Sequence, residues 1–454
     1  MLIGRASELN YLNNCYIREG SRIVVVYGKK HIGKTALLKE FLTGKEGHYY
    51  LARACSEREH LYQWGRQLAE ENTLEHTPET YRDILQTAVG ERQQKQVLVI
   101  DEFQNLVRAG SGFMKELAAF VREQERTPEI LVILSSSSIG WVENSMVTRI
   151  GEAAYELSGF LKIRELSFTC MREFFKAFDI EQSVEAYAIL GGIPGLWQHF
   201  DDRRSIHENI CKAILRDESL LCEEGERLVS EQLREPAVYN TILASMAAGN
   251  HKLNELYLHT GFSRAKISVY LKSLMELEVV EKVFSYDTEG RENVQKGIYR
   301  ICHPLVSFYF TYLYPHMSAR ETLSGELFYE RYIRPDFRRF VSDCFRQICV
   351  QDLERRNENG ELPLHLENTG EWVGKQGTID IVAQDAQGKT LIALCNWRNR
   401  TMAFEDYERL LELAQKARIK ADYIYLYTAT GFDERLLAKA RAEKDLRLIR
   451  LTDL

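Results

Sequence analysis

The chain has 454 residues, 45% of them hydrophobic and 28% charged, and a formal net charge of −7. That is length for roughly two to four domains with cores of their own, and a charge balance with no global pull toward nucleic acid or anionic membrane, so any such contact needs a local patch. The nine cysteines are scattered with no Cys-x-x-Cys pair, the first residues carry no basic segment leading into an apolar one, and no run of about 18 apolar residues occurs. This is thiol usage of a reducing compartment, not of a disulfide framework or zinc site, and a cytoplasmic protein without a membrane span is expected.

Residues 1–20 open with Ile3-Gly4-Arg5-x-x-Glu8-Leu9 and an amphipathic helix over 8–17, for which Ser7 is a candidate cap. Four β-formers, Ile23 to Val26, then run into Gly28-x-x-x-x-Gly33-Lys34-Thr35, and a helical pattern follows at once. Strand, glycine loop and helix in that order make a phosphate-binding loop. Its glycines let the backbone turn tightly and present successive N–H groups to anionic oxygens, and the helix dipole adds positive potential. Gly28, Lys29, Lys30, His31, Ile32, Gly33, Lys34, Thr35 and Ala36 are thus expected to bind ATP. Lys34 reaches the β and γ phosphates in this reading, and the Thr35 hydroxyl ligates Mg²⁺.

A short strand is expected at 49–52, a polar helical region over 57–94, and a buried strand at 96–100 that ends in Asp101-Glu102. Ligands of parallel sheets bind at the carboxyl ends of strands, where Asp101 is placed to hold Mg²⁺ and Glu102 to orient or deprotonate the attacking water. A third apolar strand, 129–134, ends in four serines, Ser135 to Ser138. Ser136 and Ser137 either hydrogen-bond the γ-phosphate or the water, or the serines cap the next helix. Arg149 and Arg164 either bring positive charge to the transferred phosphate, in cis or from a second subunit, or are solvated surface groups.

From 165 to 220 the pattern is helical, with helices at 171–178 and 183–190 and a breaker, Gly191-Gly192-Ile193-Pro194-Gly195, between helices. Further helices are expected at 228–246 and 252–258. A turn at 259–262 leads to a helix N-capped by Ser263, with Ile267, Tyr270, Leu271 and Leu274 on one face. Strands at 279–285 and 297–301 around a polar turn at 287–292 complete a winged helix-turn-helix pattern. Arg264, Lys266 and Lys272 lie on its second helix, but Glu276, Glu278 and Glu281 follow, so a DNA contact and a packing or regulatory role both stand.

Taken together, these residues resemble the archaeal-type P-loop ATPases of the AAA+/STAND (MNS-like) kind. The resemblance spans essentially the whole chain, through Gly4-Arg5-x-x-Glu8, Gly28 to Thr35, Val97 to Gln104, Leu134 to Ser138, Phe174-Phe175, Gly191 to Pro194, and Tyr299 to Phe310. In such ATPases the Gly-Arg-x-x-Glu lead-in borders the nucleotide base. The resemblance implies an α/β protein: a P-loop core over 1–164, a helical lid over 165–225, a winged helix over 226–316, and a PD-(D/E)XK nuclease-like domain over 317–454. It implies an ATP-driven switch with ATP and Mg²⁺ as ligands. An ATP-gated DNA-binding regulator is the alternative, or a scaffold for a protein partner or second copy in a defence or toxin–antitoxin type of system.

A nuclease of the PD-(D/E)XK type needs an Asp on one strand and Glu-x-Lys on the next, because two carboxylates hold Mg²⁺ while a lysine supports the water. Residues 377–383 and 390–397 read as those strands, followed by strands at 422–428 and 446–451. Asp380 is in place, but Leu394 stands at the Glu position, Asn396 at the Lys position, and Phe345 is followed by Arg346 where the family often has Glu. With one plausible ligand left, nuclease activity is expected to be absent.

Overall fold

A computed structural model of the protein describes residues 2–90, 94–110, 112–123, 129–216, 219–230, 233–286, 297–374 and 376–454. The chain divides into two compact units, one of Met1–Leu166 with Ile193–Gly195, the other of Ser167–Gly192 with Leu196–Leu454.

The first unit is built on five parallel strands, β1 (Arg22–Tyr27), β2 (Gly47–Leu51), β3 (Gln96–Asp101), β4 (Ile130–Ser136) and β5 (Leu157–Lys162), in the order β2-β3-β4-β1-β5. Every residue of β3 and β4 is buried, and so are Ile23 to Val26 of β1. That is why these three read as unbroken apolar runs. Trp64, Phe103, Phe113 and Phe120 fill the core beside them. The register sets Tyr27 opposite Ser136 and Ile100 opposite Leu134, so the ends of β1, β3 and β4 emerge together. Two expectations change here. Strand β5 was not foreseen, because it lies at the sheet edge with Ser158 and Phe160 exposed and Gly159 in its middle. Ser7 is not a cap: the first helix runs Ala6–Ile17, and the Ser7 hydroxyl donates to Glu8 instead.

In the second unit, the expected helix over 228–246 is two helices, Leu220–Ser230 and Pro236–Ala247. Pro236 has no N–H to give to a continuing helix and begins the new one instead, after Glu235 at φ 61°. Helices Leu253–Thr260 and Arg264–Glu276 follow, the latter capped by the Ser263 side chain as expected, with Ile267, Leu271 and Leu274 buried. An antiparallel ribbon comes next, β6 (Val280–Phe284) with β7 (Gly297–Ile301). The polar turn expected at 287–292 lies outside the described residues.

The ribbon is tied to β8 (Leu366–Gly374). Ser285 bridges to Glu371 of that strand, and its hydroxyl accepts from the Val373 N–H, also of β8, at 3.0 Å. A second sheet has the order β12-β11-β10-β9-β8. Its other strands are β9 (Gly377–Asp385), β10 (Thr390–Asn396), β11 (Tyr423–Thr428) and β12 (Leu446–Arg450). Strands β8, β9 and β10 run antiparallel in turn, whereas β10, β11 and β12 are parallel. A 22-residue helix, Phe337–Glu358, precedes this sheet, and its Phe345 ring packs 5.1 Å from Trp397 just after β10. Among the described residues no helix is long and apolar enough to cross a membrane.

Candidate nucleotide site

The loop after β1 is shaped by close approach as much as by turning. A Cβ on Gly28 would stand 2.5 Å from the Ile163 carbonyl oxygen, so only glycine fits beneath the end of β5, while His31 at φ 62° and Gly33 at φ 96° supply the turn. Lys34 opens the helix Lys34–Leu42 and folds back over the loop. Its buried ammonium donates to the carbonyls of Gly28 at 3.0 Å and Lys29 at 2.9 Å. Burial pulls its pKa below the usual lysine range, against the opposing pull of Glu102 and Asp101. Lys29 is paired with Glu165 at 2.6 Å, Ile32 is fully buried, and Thr35 and Ala36 are exposed at the start of the helix.

The end of β3 meets this loop. The Thr35 hydroxyl donates to Asp101 Oδ2 at 2.8 Å, and the Tyr49 hydroxyl, from β2, donates to the same oxygen at 2.7 Å. Burial, with Asp101 beside it, pushes the Tyr49 pKa well up, so it stays a donor. Glu102 takes the left-handed conformation at φ 56°, which is uncommon for a side-chain-bearing residue and costs about 1 kcal/mol or more. Its carboxylate accepts from the Ser137 N–H at 3.2 Å, the Ser137 hydroxyl at 2.8 Å and the Gln104 amide. Of the serines, then, Ser137 reaches the acid, Ser136 is buried and accepts from the Ser138 N–H, and Ser138 makes no capping bond to its helix. Arg149 sits exposed in the last turn of the helix Met146–Ile150, its side chain without a hydrogen bond or ion pair among the described residues, so the structure does not bring it to the loop.

Three partners of the loop carry weak local signals. Arg5, only 4% exposed, donates to the Ile32 carbonyl and the Arg164 carbonyl, each at 2.9 Å, and pairs with Glu8. The lead-in Gly4-Arg5-x-x-Glu8 is thus a brace for the loop. Gly195 donates its N–H to the His31 carbonyl at 3.0 Å, and a Cβ there would lie 2.8 Å from His31 Cβ. The breaker turn therefore touches the loop, a contact between residues 164 apart that spacing alone does not reveal. Tyr49 is the third.

Around Asp380 the second unit holds a different cluster. Asp380 Oδ2 accepts from the Cys395 N–H at 2.8 Å, and burial raises its pKa from 3.8 to about 6 despite Arg346. Glu371 and Asp343 also bear on it, so the expectation of a lone carboxylate is corrected. Buried Glu371, however, is held by Arg346 at 2.8 Å and Arg300 at 3.0 Å. Among the described residues these acids do not bring three donor atoms within 4.8 Å. On the helix Arg264–Glu276, Arg264 is exposed with its guanidinium over the Tyr257 ring, Lys266 lies near the Phe262 and Tyr270 rings, and Lys272 pairs with Glu276.

Residues 2–200 match a family of ATPase domains predominantly from Archaea, and residues 309–410 a family of archaeal and bacterial proteins of unknown function. An uncharacterized protein of Methanocaldococcus jannaschii is 27% identical over 445 residues, 95% of each chain. An uncharacterized ATP-binding protein of the same organism is 33% identical over 46 residues, 10% of this chain and 78% of that one. A Walker-type ATPase of Pyrococcus abyssi superposes with a TM-score of 0.50 at 17% identity, over 68% of this chain and 96% of its own, a likeness of fold.

Two outcomes are expected. Gly195→Ala forces its methyl against His31, so ATP affinity measured by calorimetry should fall by about 10-fold, or about 1.4 kcal/mol, with little change in Tm; an unchanged Kd would show that the turn is indifferent to the loop. For Asp380 the folded pKa lies above the ordinary value, so its favourable protonated state is present below about 4 and lost as pH rises through about 6. The Tm of Asp380→Asn relative to wild type should accordingly rise by roughly 2–4 °C between pH 5 and pH 7.5, and a flat difference would contradict the raised pKa.

Proposed function

We propose, on the premise that this chain carries an ATPase domain of the predominantly archaeal family, that it is an ATP-binding and ATP-hydrolysing switch whose nucleotide state moves the parts beyond the core. One observation carries the reading: the Thr35 hydroxyl and the Asp101 carboxylate stand 2.8 Å apart at the strand ends, beside the buried Lys34 ammonium. A hydroxyl and a carboxylate are hard oxygen donors suited to Mg²⁺, and a loop turned by His31 at φ 62° and Gly33 at φ 96° suits presentation of backbone amides to phosphate. When bound, Mg²⁺ supplies positive charge against the phosphate oxygens.

Thr35 and Asp101 would hold the metal in this reading. Lys34 exchanges two loop carbonyls for β and γ phosphate oxygens, and the amides of residues 28–36 bind the rest. Glu102 holds the attacking water as acceptor, with the Ser137 hydroxyl keeping its carboxylate in place. Ser136 supports that strand end, and Arg149, being exposed, would act from a second copy. Motion leaves the site through the turn at Ile193–Gly195, which belongs with the core while its sequence neighbours on both sides belong to the other unit. The cytoplasm is the proposed location, in keeping with nine free cysteines.

We read residues 226–316, with the helices of 236–276 and the β6–β7 ribbon, as a winged helix, and residues 317–454 as a PD-(D/E)XK-like domain without cutting activity. Support for the second point is the pairing of Glu371 with two arginines, together with Leu394 and Asn396. The ties from Ser285 and Arg300 to β8 favour a packing role for the wing. A DNA contact is favoured by one feature, the exposed Arg264 held out over Tyr257.

Lys34→Ala is expected to weaken ATP binding at least ~10-fold, whereas Glu102→Gln binds within about twofold of wild type and turns over at least ~100-fold more slowly; retained turnover in Glu102→Gln would falsify the role given to that acid. With duplex DNA and Mg²⁺ or Mn²⁺, the expected result is no cleavage on denaturing gels. If DNA is a partner, binding falls with salt, and the log–log slope drops by about one on Arg264→Ala. A slope that does not move would remove the Arg264 face as a DNA contact.

A further inference from the structure

Within the second unit, helix Ile206–Ala213 and the short helix Gly325–Phe328 bring together three side chains of different donor type. An imidazole nitrogen of His207, the Cys211 sulfur and a Glu326 carboxylate oxygen all lie within 4.8 Å of one another. Among the described residues no other group of three or more His, Cys, Asp and Glu side chains converges in this way. His207 and Cys211, four residues apart, share one face of a helix whose first turn is fixed by the Ser205–Glu208 capping box. Ser324 caps the second helix, and Gly325 packs against Cys211, which carries Glu326 alongside the thiol. The Tyr329 ring stacks on the His207 imidazole at 4.1 Å and sets its plane.

The arrangement at His207 is more than an ion pair. Its Nε2 lies 2.7 Å from Glu326 Oε2, yet that nitrogen is buried and out of line for a hydrogen bond. An N–H donor aims its hydrogen at the carboxylate. A nitrogen lone pair aimed at a cation has the other donors to its side instead, as the carboxylate and thiol are here. The charges also close, because one thiolate and one carboxylate balance a divalent ion with neutral imidazole as the third donor.

We propose that His207, Cys211 and Glu326 bind one zinc-class divalent cation, with water completing a tetrahedral shell. Nitrogen, sulfur and oxygen donors together select Zn²⁺ over Mg²⁺ or Ca²⁺, which prefer oxygen alone. Binding forms the metal–sulfur bond as the Cys211 S–H gives its proton to water, so one proton is released per ion and affinity rises with pH. That thiol is pushed up to about 12, by burial first and by Glu326 next; the metal must displace its proton. Once bound, the ion joins two helices far apart in sequence. The pattern escapes a search for paired cysteines because only one of its ligands is a thiol.

The test titrates the full chain, stripped with chelator and then freed of it, with Co²⁺ as a spectroscopic stand-in. One equivalent should bind with a near-ultraviolet sulfur-to-cobalt charge-transfer band that Zn²⁺ bleaches. Cys211→Ser should lose the band, His207→Gln should weaken Co²⁺ at least ~10-fold, and Cys222→Ser and Lys34→Ala should leave it intact. Zn²⁺ should also raise the wild-type Tm by a few degrees, a shift missing in His207→Gln, which guards against a variant that merely misfolds. No band at stoichiometric Co²⁺, or a band that survives Cys211→Ser, would overturn the assignment.

Discussion

The first unit depends on a lysine ammonium taken out of water and held by two backbone carbonyls rather than by a carboxylate in contact. Burying such a charge is costly unless its donors are satisfied. The loop carbonyls of Gly28 and Lys29 satisfy two of the three N–H groups, and the negative potential of Asp101 and Glu102 supports the charge from a distance. The geometry comes from strand order. With β1 beside β4 and β4 beside β3, the loop, the serines and the acid pair must finish at one edge of the sheet. The cation is thereby kept with one of its three N–H groups unfilled by the loop, beside the acid pair.

Charge is handled differently in the second unit. Acidic groups converge near Asp380 as well, but arginines reach them first, and Glu371 is bound from both β7 and the helix Phe337–Glu358. A guanidinium in place of a metal ion neutralises the cluster without opening a coordination position for water. The same pairing fastens the ribbon to the second sheet, so the arginines that neutralise the cluster also serve packing. Chemistry in one unit and cohesion in the other thus rest on the same kinds of side chain, separated by whether a cation is built in.

What could be read from the residues was whatever is local. The β1 strand, the Gly28 to Thr35 loop and the Asp101-Glu102 pair are contiguous, and strands buried on both faces advertise themselves as apolar runs. Strand β5 and strand β8 did not, since each sits at a sheet edge with part of its length exposed and with polar residues and glycine interrupting its apolar ones. The break before Pro236 lies inside a stretch that reads as one helix, because Leu228 on one side and Val238, Tyr239, Ile242 and Leu243 on the other both fit a helical pattern. Asp380 looked solitary because Glu371 and Asp343 come to it from other elements. Arg5, Tyr49 and Gly195 shape the site through contacts that span tens of residues or more; the motifs around Arg5 and Gly195 are visible in the sequence, but the atoms they touch are not, and Tyr49 carries no local mark.

The turn at Ile193–Gly195 has a consequence for how this chain can be divided. Since the polypeptide leaves the first unit after Leu166, returns for three residues and departs again, the ATPase core is not a detachable cassette. A fragment ending at Leu166 would retain every residue of the phosphate loop and still present His31 with its carbonyl stripped of the Gly195 N–H. Recombination between relatives at that boundary would pair one chain's loop with another chain's turn. The loop and the turn that meets it thus lie on separate stretches of sequence, joined by a main-chain hydrogen bond that neither stretch contains alone.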